Sequence, residues 1–126
     1  MQSKTMTWAG RVVTVLAMLP FLPSAVMKLL RRPEVIEGMG HLGVPESLMI
    51  PLAVLELLCV VTYAVPRTAA LGAILLTGYI GGAILTHLRV GEPVYTQIVI
   101  GILVWLGLWL REARLRRLLP LIQPTV

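Results

Sequence analysis

Five polar side chains of this sequence stand where polar groups are costly, and their types suit proton and hydrogen-bond chemistry: Lys28, Glu56, Tyr79, Thr86 and His87. Glu56 is the only charged residue in the apolar stretch 47–66. Counted from Ser47 along a helix rising 1.5 Å per residue, it lies roughly 13.5 Å in, near the middle of a hydrocarbon layer about 30 Å thick. An ionisable group there costs on the order of 2.5–3.5 kcal/mol and so faces a partner or a wet cavity. Two roles are open to it. It can line a pocket and bind or move a proton, or it can tie helices together as a neutral acid or a paired charge.

The other four fall within its reach by depth and face. Tyr79 precedes Arg89 by ten residues, which sets it about 15 Å deep, level with Glu56. Tyr79, Ala83 and His87 recur at i, i+4 and i+8 and share one helical face, with Thr86 at its border. Lys28 and His87 belong near the rim. The expectation is a funnel with Lys28 and His87 at its mouth and Glu56 and Tyr79 below. Each member also has a plainer role: Lys28 snorkelling to headgroups, His87 as an interfacial histidine, Tyr79 bonded to a backbone carbonyl. A direct Lys28–Glu56 pair requires a bent or tilted first helix.

Other chemistries are unsupported by the sequence. The single cysteine, Cys59, rules out an intramolecular disulfide or a C-x-x-C couple, and it reads as an apolar filler rather than a reactive thiol. His41, His87 and Cys59 lack the compact spacing of a metal site. No nucleophile elbow, phosphate loop or dinucleotide fingerprint occurs. The net charge of +5 lacks the continuous basic–aromatic surface that nucleic acid needs.

The elements that must carry these residues follow from composition. Of 126 residues, 57% are hydrophobic and 13% charged, about half the charge of a typical soluble domain. A small soluble domain leaves too much surface in water to hide so much apolar area. No Asp, Glu, Lys or Arg occurs in 12–27, 68–88 or 93–110, lengths that approach or reach the roughly 20 residues of a spanning helix. The fold class expected is all-α: one membrane domain, an antiparallel bundle of four transmembrane helices at about 8–31, 47–65, 68–88 and 94–118. Pro20 and Pro23 should bend the first. The loop 33–46 can hold a short interfacial helix. Gly78 and Gly82 form a G-x-x-x-G pair, expected to pack inside the bundle, with a homo-oligomer face as the alternative. The fourth helix is expected to run on through its arginines to Pro120, its end on the membrane surface or in solvent.

With four crossings the ends carrying both termini share one side. That side holds Lys4, Arg11, Arg67, Arg111, Arg114, Arg116 and Arg117, against Lys28, Arg31, Arg32 and Arg89 on the other. The excess of basic residues makes both termini cytoplasmic. Trp8, Tyr63 and Trp109 are then expected at the inner interface and Tyr95 at the outer. Lys4 and Arg11 before an apolar run resemble the start of a signal peptide, but no A-x-A-like site follows, so the segment is expected to remain as a helix.

The chain resembles the DoxX-like family of small four-helix membrane proteins over roughly residues 8–119. The resemblance lies in Ser24-Ala25-Val26-Met27-Lys28-Leu29, Leu42-Gly43-Val44-Pro45, Leu55-Glu56-Leu57-Leu58-Cys59 and Val65-Pro66-Arg67-Thr68. It continues in Leu71-Gly72-Ala73-Ile74-Leu75-Leu76-Thr77-Gly78-Tyr79-Ile80-Gly81-Gly82-Ala83 and in Thr86-His87. It implies a four-helix bundle in a membrane, the bacterial inner membrane, and a link to thiosulfate:quinone oxidoreductase subunits and membrane redox complexes. A lone cysteine leaves no thiol pair for a disulfide relay. Three functions are carried forward. The first is binding of a lipophilic small molecule such as a quinone, or service as a redox-accessory subunit. The second is a non-enzymatic scaffold subunit of a membrane complex. The third is an acid–base enzyme on a lipophilic substrate, which needs Lys28 or His87 beside Glu56.

Overall fold

The structure, a computed structural model, describes residues 2–124. It is helical over 78% of its length, with no strand among the described residues. Helices α1 (Lys4–Met18) and α2 (Phe21–Leu29) form the first apolar stretch, α3 (Pro33–His41) follows, and α4 (Met49–Ala64), α5 (Ala69–Leu88) and α6 (Tyr95–Arg111) form the rest of the body. A single turn, α7 (Ala113–Arg116), closes the chain. The stretches Lys4–Leu29, Glu46–Ala64 and Pro66–Leu88 are long and apolar enough to cross a membrane. Helix α6 has 17 residues, the lower end of the length that can do so.

The first stretch breaks where its prolines dictate. Pro20 has no N–H to give to the preceding turn, and the helix stops after Met18 and restarts at Phe21. Pro23 then falls in the first turn of α2, where a missing donor costs nothing. The break lets one stretch serve two partners: α1 packs on α6, α2 packs on α4. Helix α5 packs on both α4 and α6, and the contacts close into a ring.

Small residues set how near these helices come. A Cβ on Gly72 would stand 2.2 Å from the Cα and N of Tyr63, so only glycine allows α4 and α5 their separation. The α1–α6 crossing is equally tight: a Cβ on Gly107 would meet Thr14 Oγ1 at 2.6 Å, and one on Gly10 would meet the Gly107 carbonyl at 2.8 Å. Close backbone approach through small residues is how helices associate in lipid, where apolar burial gives no advantage. The interior (Ala17, Phe21, Cys59, Val60, Ala73, Leu76, Ile80, Val104, Leu108) is apolar, and Cys59 fills space in it, 2% exposed. The outward faces are apolar too, with Val12, Leu58, Val61, Ile74, Leu85 and Ile102 each more than half exposed. An apolar surface of that extent matches hydrocarbon, not water.

Several expectations are revised. The fourth helix ends at Arg111, not near 118, because Glu112 takes an extended conformation and its carboxylate caps the N–H of Arg114. The chain then folds back. Arg116 Nη1 donates to the carbonyls of Trp109 (2.7 Å) and Leu110 (3.1 Å), a cationic cap on a helix C-terminus. Arg116 Nη2 reaches Gln2 Oε1 at 2.7 Å, so the two ends of the described chain meet. Tyr63 is turned inward: it is 0% exposed and its hydroxyl donates to the Val104 carbonyl at 2.6 Å, linking α4 to α6. The G-x-x-x-G pair does not pack inside the ring either, since a Cβ on Gly78 or Gly82 would meet nothing within 4 Å.

Candidate functional site

Ser24 and Lys28 lie one turn apart on α2 and face the same way. Glu56 comes from the middle of α4 and Tyr79 from the middle of α5. Lys28 Nζ gathers them, donating to Glu56 Oε1 at 3.0 Å, to Ser24 Oγ at 2.9 Å and to Tyr79 OH at 3.2 Å. Ser24 Oγ also donates to Glu56 Oε1, at 3.3 Å. An ammonium has three hydrogens, and all three are used. The side chains of Lys28 and Glu56 are 12% and 3% exposed, so this is a buried, hydrogen-bonded ion pair. The break at Pro20 aims α2 onto α4 and makes the direct pair possible. Phe21 holds the Tyr79 ring edge-on at 6.3 Å between centroids.

The cluster sits behind one wall of a groove of about 430 Å³. Lys28, Tyr79 and Thr86 line it together with Met39, Leu42, Val44, Leu48, Leu52 and Leu55. Gly78, Gly82 and Ala83 lie along its α5 side, and the absence of side chains on the two glycines is what keeps it open. Glu56 is not part of the lining; it touches the groove only through Lys28. Thr86 spends its hydroxyl on the Gly82 carbonyl, at 2.7 Å, and presents its methyl. Tyr79 OH accepts from Lys28, so its own proton remains available to an acceptor in the groove.

His87 does not join the cluster. Its Nδ1 bonds the Ala83 carbonyl at 2.7 Å and its Nε2 lies 3.9 Å from Glu92 Oε2. The other oxygen of Glu92 lies 3.2 Å from His41 Nε2. This second polar group ties the end of α3 to the α5–α6 turn, helped by Arg89 Nη2, which donates to the Leu42 carbonyl at 2.6 Å. Among the described residues, no group of three or more His, Cys, Asp or Glu could hold a metal ion.

Sequence reading placed Glu56 and Tyr79 at one depth and Lys28 above them at the rim; the structure brings all three into contact, with the lysine and not the tyrosine touching the carboxylate. It omitted Ser24, although the i, i+4 spacing to Lys28 was a usable signal. Glu92 was also missed, since its partners are 51 and 5 residues away and share no helix with it.

No curated protein and no solved structure matches the chain. The model of the DoxX-like family does match it, over residues 12–110, and that span contains every residue of the cluster and all three long apolar stretches apart from residues 4–11 of the first. The chain is a membrane protein and belongs to the DoxX-like family.

Proposed function

We propose that this protein holds a lipophilic small molecule with a hydrogen-bond-accepting head, of the quinone type, in the groove beside Lys28 and Tyr79, and serves as an accessory subunit of a membrane redox complex. The observation that carries the proposal is the pairing of one cation and one spare hydroxyl donor with an otherwise apolar wall. Few precisely placed polar groups in an apolar cleft are the usual form of a small-molecule site. Tyr79 donates to a carbonyl of the ligand, Lys28 lends its charge, and Glu56 keeps the ammonium in place. The aliphatic tail leaves past Leu48, Leu52 and Leu55. The same reading puts the protein in the bacterial inner membrane with both termini cytoplasmic, following the excess of basic residues at their end.

The test is purification in mild detergent, solvent extraction and mass spectrometry, followed by equilibrium binding of a short-chain benzoquinone. Tyr79→Phe and Glu56→Gln should each lower binding tenfold or more. Unchanged binding in Tyr79→Phe removes the site.

A second reading, a scaffold subunit, is favoured by one fact: the polar groups of Lys28 are satisfied within the protein. It predicts that Glu56→Gln lowers thermal stability and complex assembly while no ligand is ever extracted. The acid–base reading gains Lys28 at 3.0 Å from Glu56, but the carboxylate has no face on the groove, so a substrate there meets only the lysine and the tyrosine.

A further inference from the structure

A second groove, larger and on another face of α5, runs between α5 and α6. It encloses about 790 Å³ and extends from Gln97 and Ile98 past Gly101 and Trp105 to Trp109, Leu119 and Pro120. Its α5 wall is Thr77, Ile80, Gly81 and Ile84. Two glycines leave the space: a Cβ on Gly81 would meet nothing within 4 Å, and one on Gly101 only Ile80 Cγ2 at 3.9 Å. The polar atoms along its middle are already used. Trp105 Nε1 donates to Thr77 Oγ1 at 2.7 Å, and Thr77 Oγ1 donates to the Ala73 carbonyl at 2.7 Å. Such a surface asks nothing of its occupant except hydrocarbon.

The end of the groove nearest the termini is of the opposite character. Trp109, Leu119 and Pro120 also border a neighbouring hollow whose walls include Arg116 and Arg117. Trp109 Nε1 donates to the Leu119 carbonyl at 2.9 Å, which pins the returning chain and joins the two hollows. Residues 111–117 carry Arg111, Arg114, Arg116 and Arg117 against the single acid Glu112. The ion pair of Glu112 with Arg114 uses that acid, and Arg117 stands exposed at the rim. From Gln97 to Trp109 the groove spans about 18 Å at 1.5 Å per residue, most of the length of α6.

We propose that this continuous groove and hollow bind one anionic glycerophospholipid, with an acyl chain laid between α5 and α6 and the phosphate at Arg117. The apolar lining suits an acyl chain, and the charge at its end suits a phosphate bearing net negative charge over a zwitterionic headgroup. The site is independent of the Lys28 groove and shares no lining residue with it.

The experiment is native mass spectrometry of the full chain in detergent, titrated with phosphatidylglycerol or phosphatidylcholine of equal chain length. Phosphatidylglycerol is expected to be retained at least tenfold more strongly, as a single adduct. Arg117→Gln should reduce that preference several-fold without touching the helices. Gly81→Leu, whose side chain enters open space, should remove the adduct while the thermal transition persists. Equal retention of the two lipids, or a preference that survives both substitutions, overturns the proposal. So does a dimer that Gly81→Leu dissociates in the absence of any lipid adduct, which would make the groove a contact between two copies.

Discussion

Lys28 is held by three acceptors from three helices, and that arrangement decides what a substitution costs. Taking two charges out of water is expensive, and their attraction recovers the loss only when geometry is good and the remaining hydrogens are bonded. Both conditions are met here. Lys28→Met leaves a buried carboxylate without its counter-charge and is expected to cost about 3–5 kcal/mol, with Glu56→Met similar. The double variant should recover most of that loss, because neither charge is then stranded. Unfolding by denaturing detergent in mixed micelles measures all three, and simple additivity of the two single losses would show that the pair does not act as a unit.

At the level of helices, glycines of identical chemistry have opposite meanings. Gly72 abuts the Tyr63 backbone at a separation no Cβ tolerates, and backbone cannot swing aside as a side chain can. Gly72→Ala is expected to lose about 1–3 kcal/mol through overpacking. Gly78→Ala meets open groove and should change stability by less than about 0.5 kcal/mol, while narrowing the space available to a ligand. Thermal melts of both variants, with benzoquinone binding for the second, distinguish the two roles; equal losses would mean that α4 and α5 are not pressed together at Gly72. The broken first stretch belongs to this scale as well. A straight helix carrying Lys28 could follow α6 or reach α4, and the interruption at Pro20 permits both.

For the molecule as a whole, the contact between Gln2 and Arg116 and the bond from Gln2 Nε2 to the Leu110 carbonyl at 2.8 Å bring the two ends of the chain to one side. In a Cys59→Ala background, single cysteines at Gln2 and Gln123 should be labelled by an impermeant maleimide from the same side of sealed vesicles, and cysteines at Val44 and Gly91 from the other. Labelling of Gln2 and Gln123 from opposite sides would remove α6 as a crossing. Both grooves flank α5, the helix that packs on α4 and α6 alike, so a ligand in either one bears on the same ring of contacts.

Some of this was already written in the chain. Uncharged runs of about twenty residues announce helices in lipid whatever their partners, because each must satisfy its own backbone hydrogen bonds. The depth of Glu56 and Tyr79 follows from counting at a constant rise, and the prolines name the place of the break; that Lys28 reaches down to both does not follow from the count. Direction around a helix is less readily counted. Whether Gly78 and Gly82 meet a neighbour or a void, whether His87 joins Lys28 or turns to Glu92 and His41, and whether Tyr63 turns outward or to Val104 depend on which helices adjoin and how they are rotated. Packing between distant segments sets those rotations, and in a chain apolar on nearly every face no hydrophobic stripe records them beforehand.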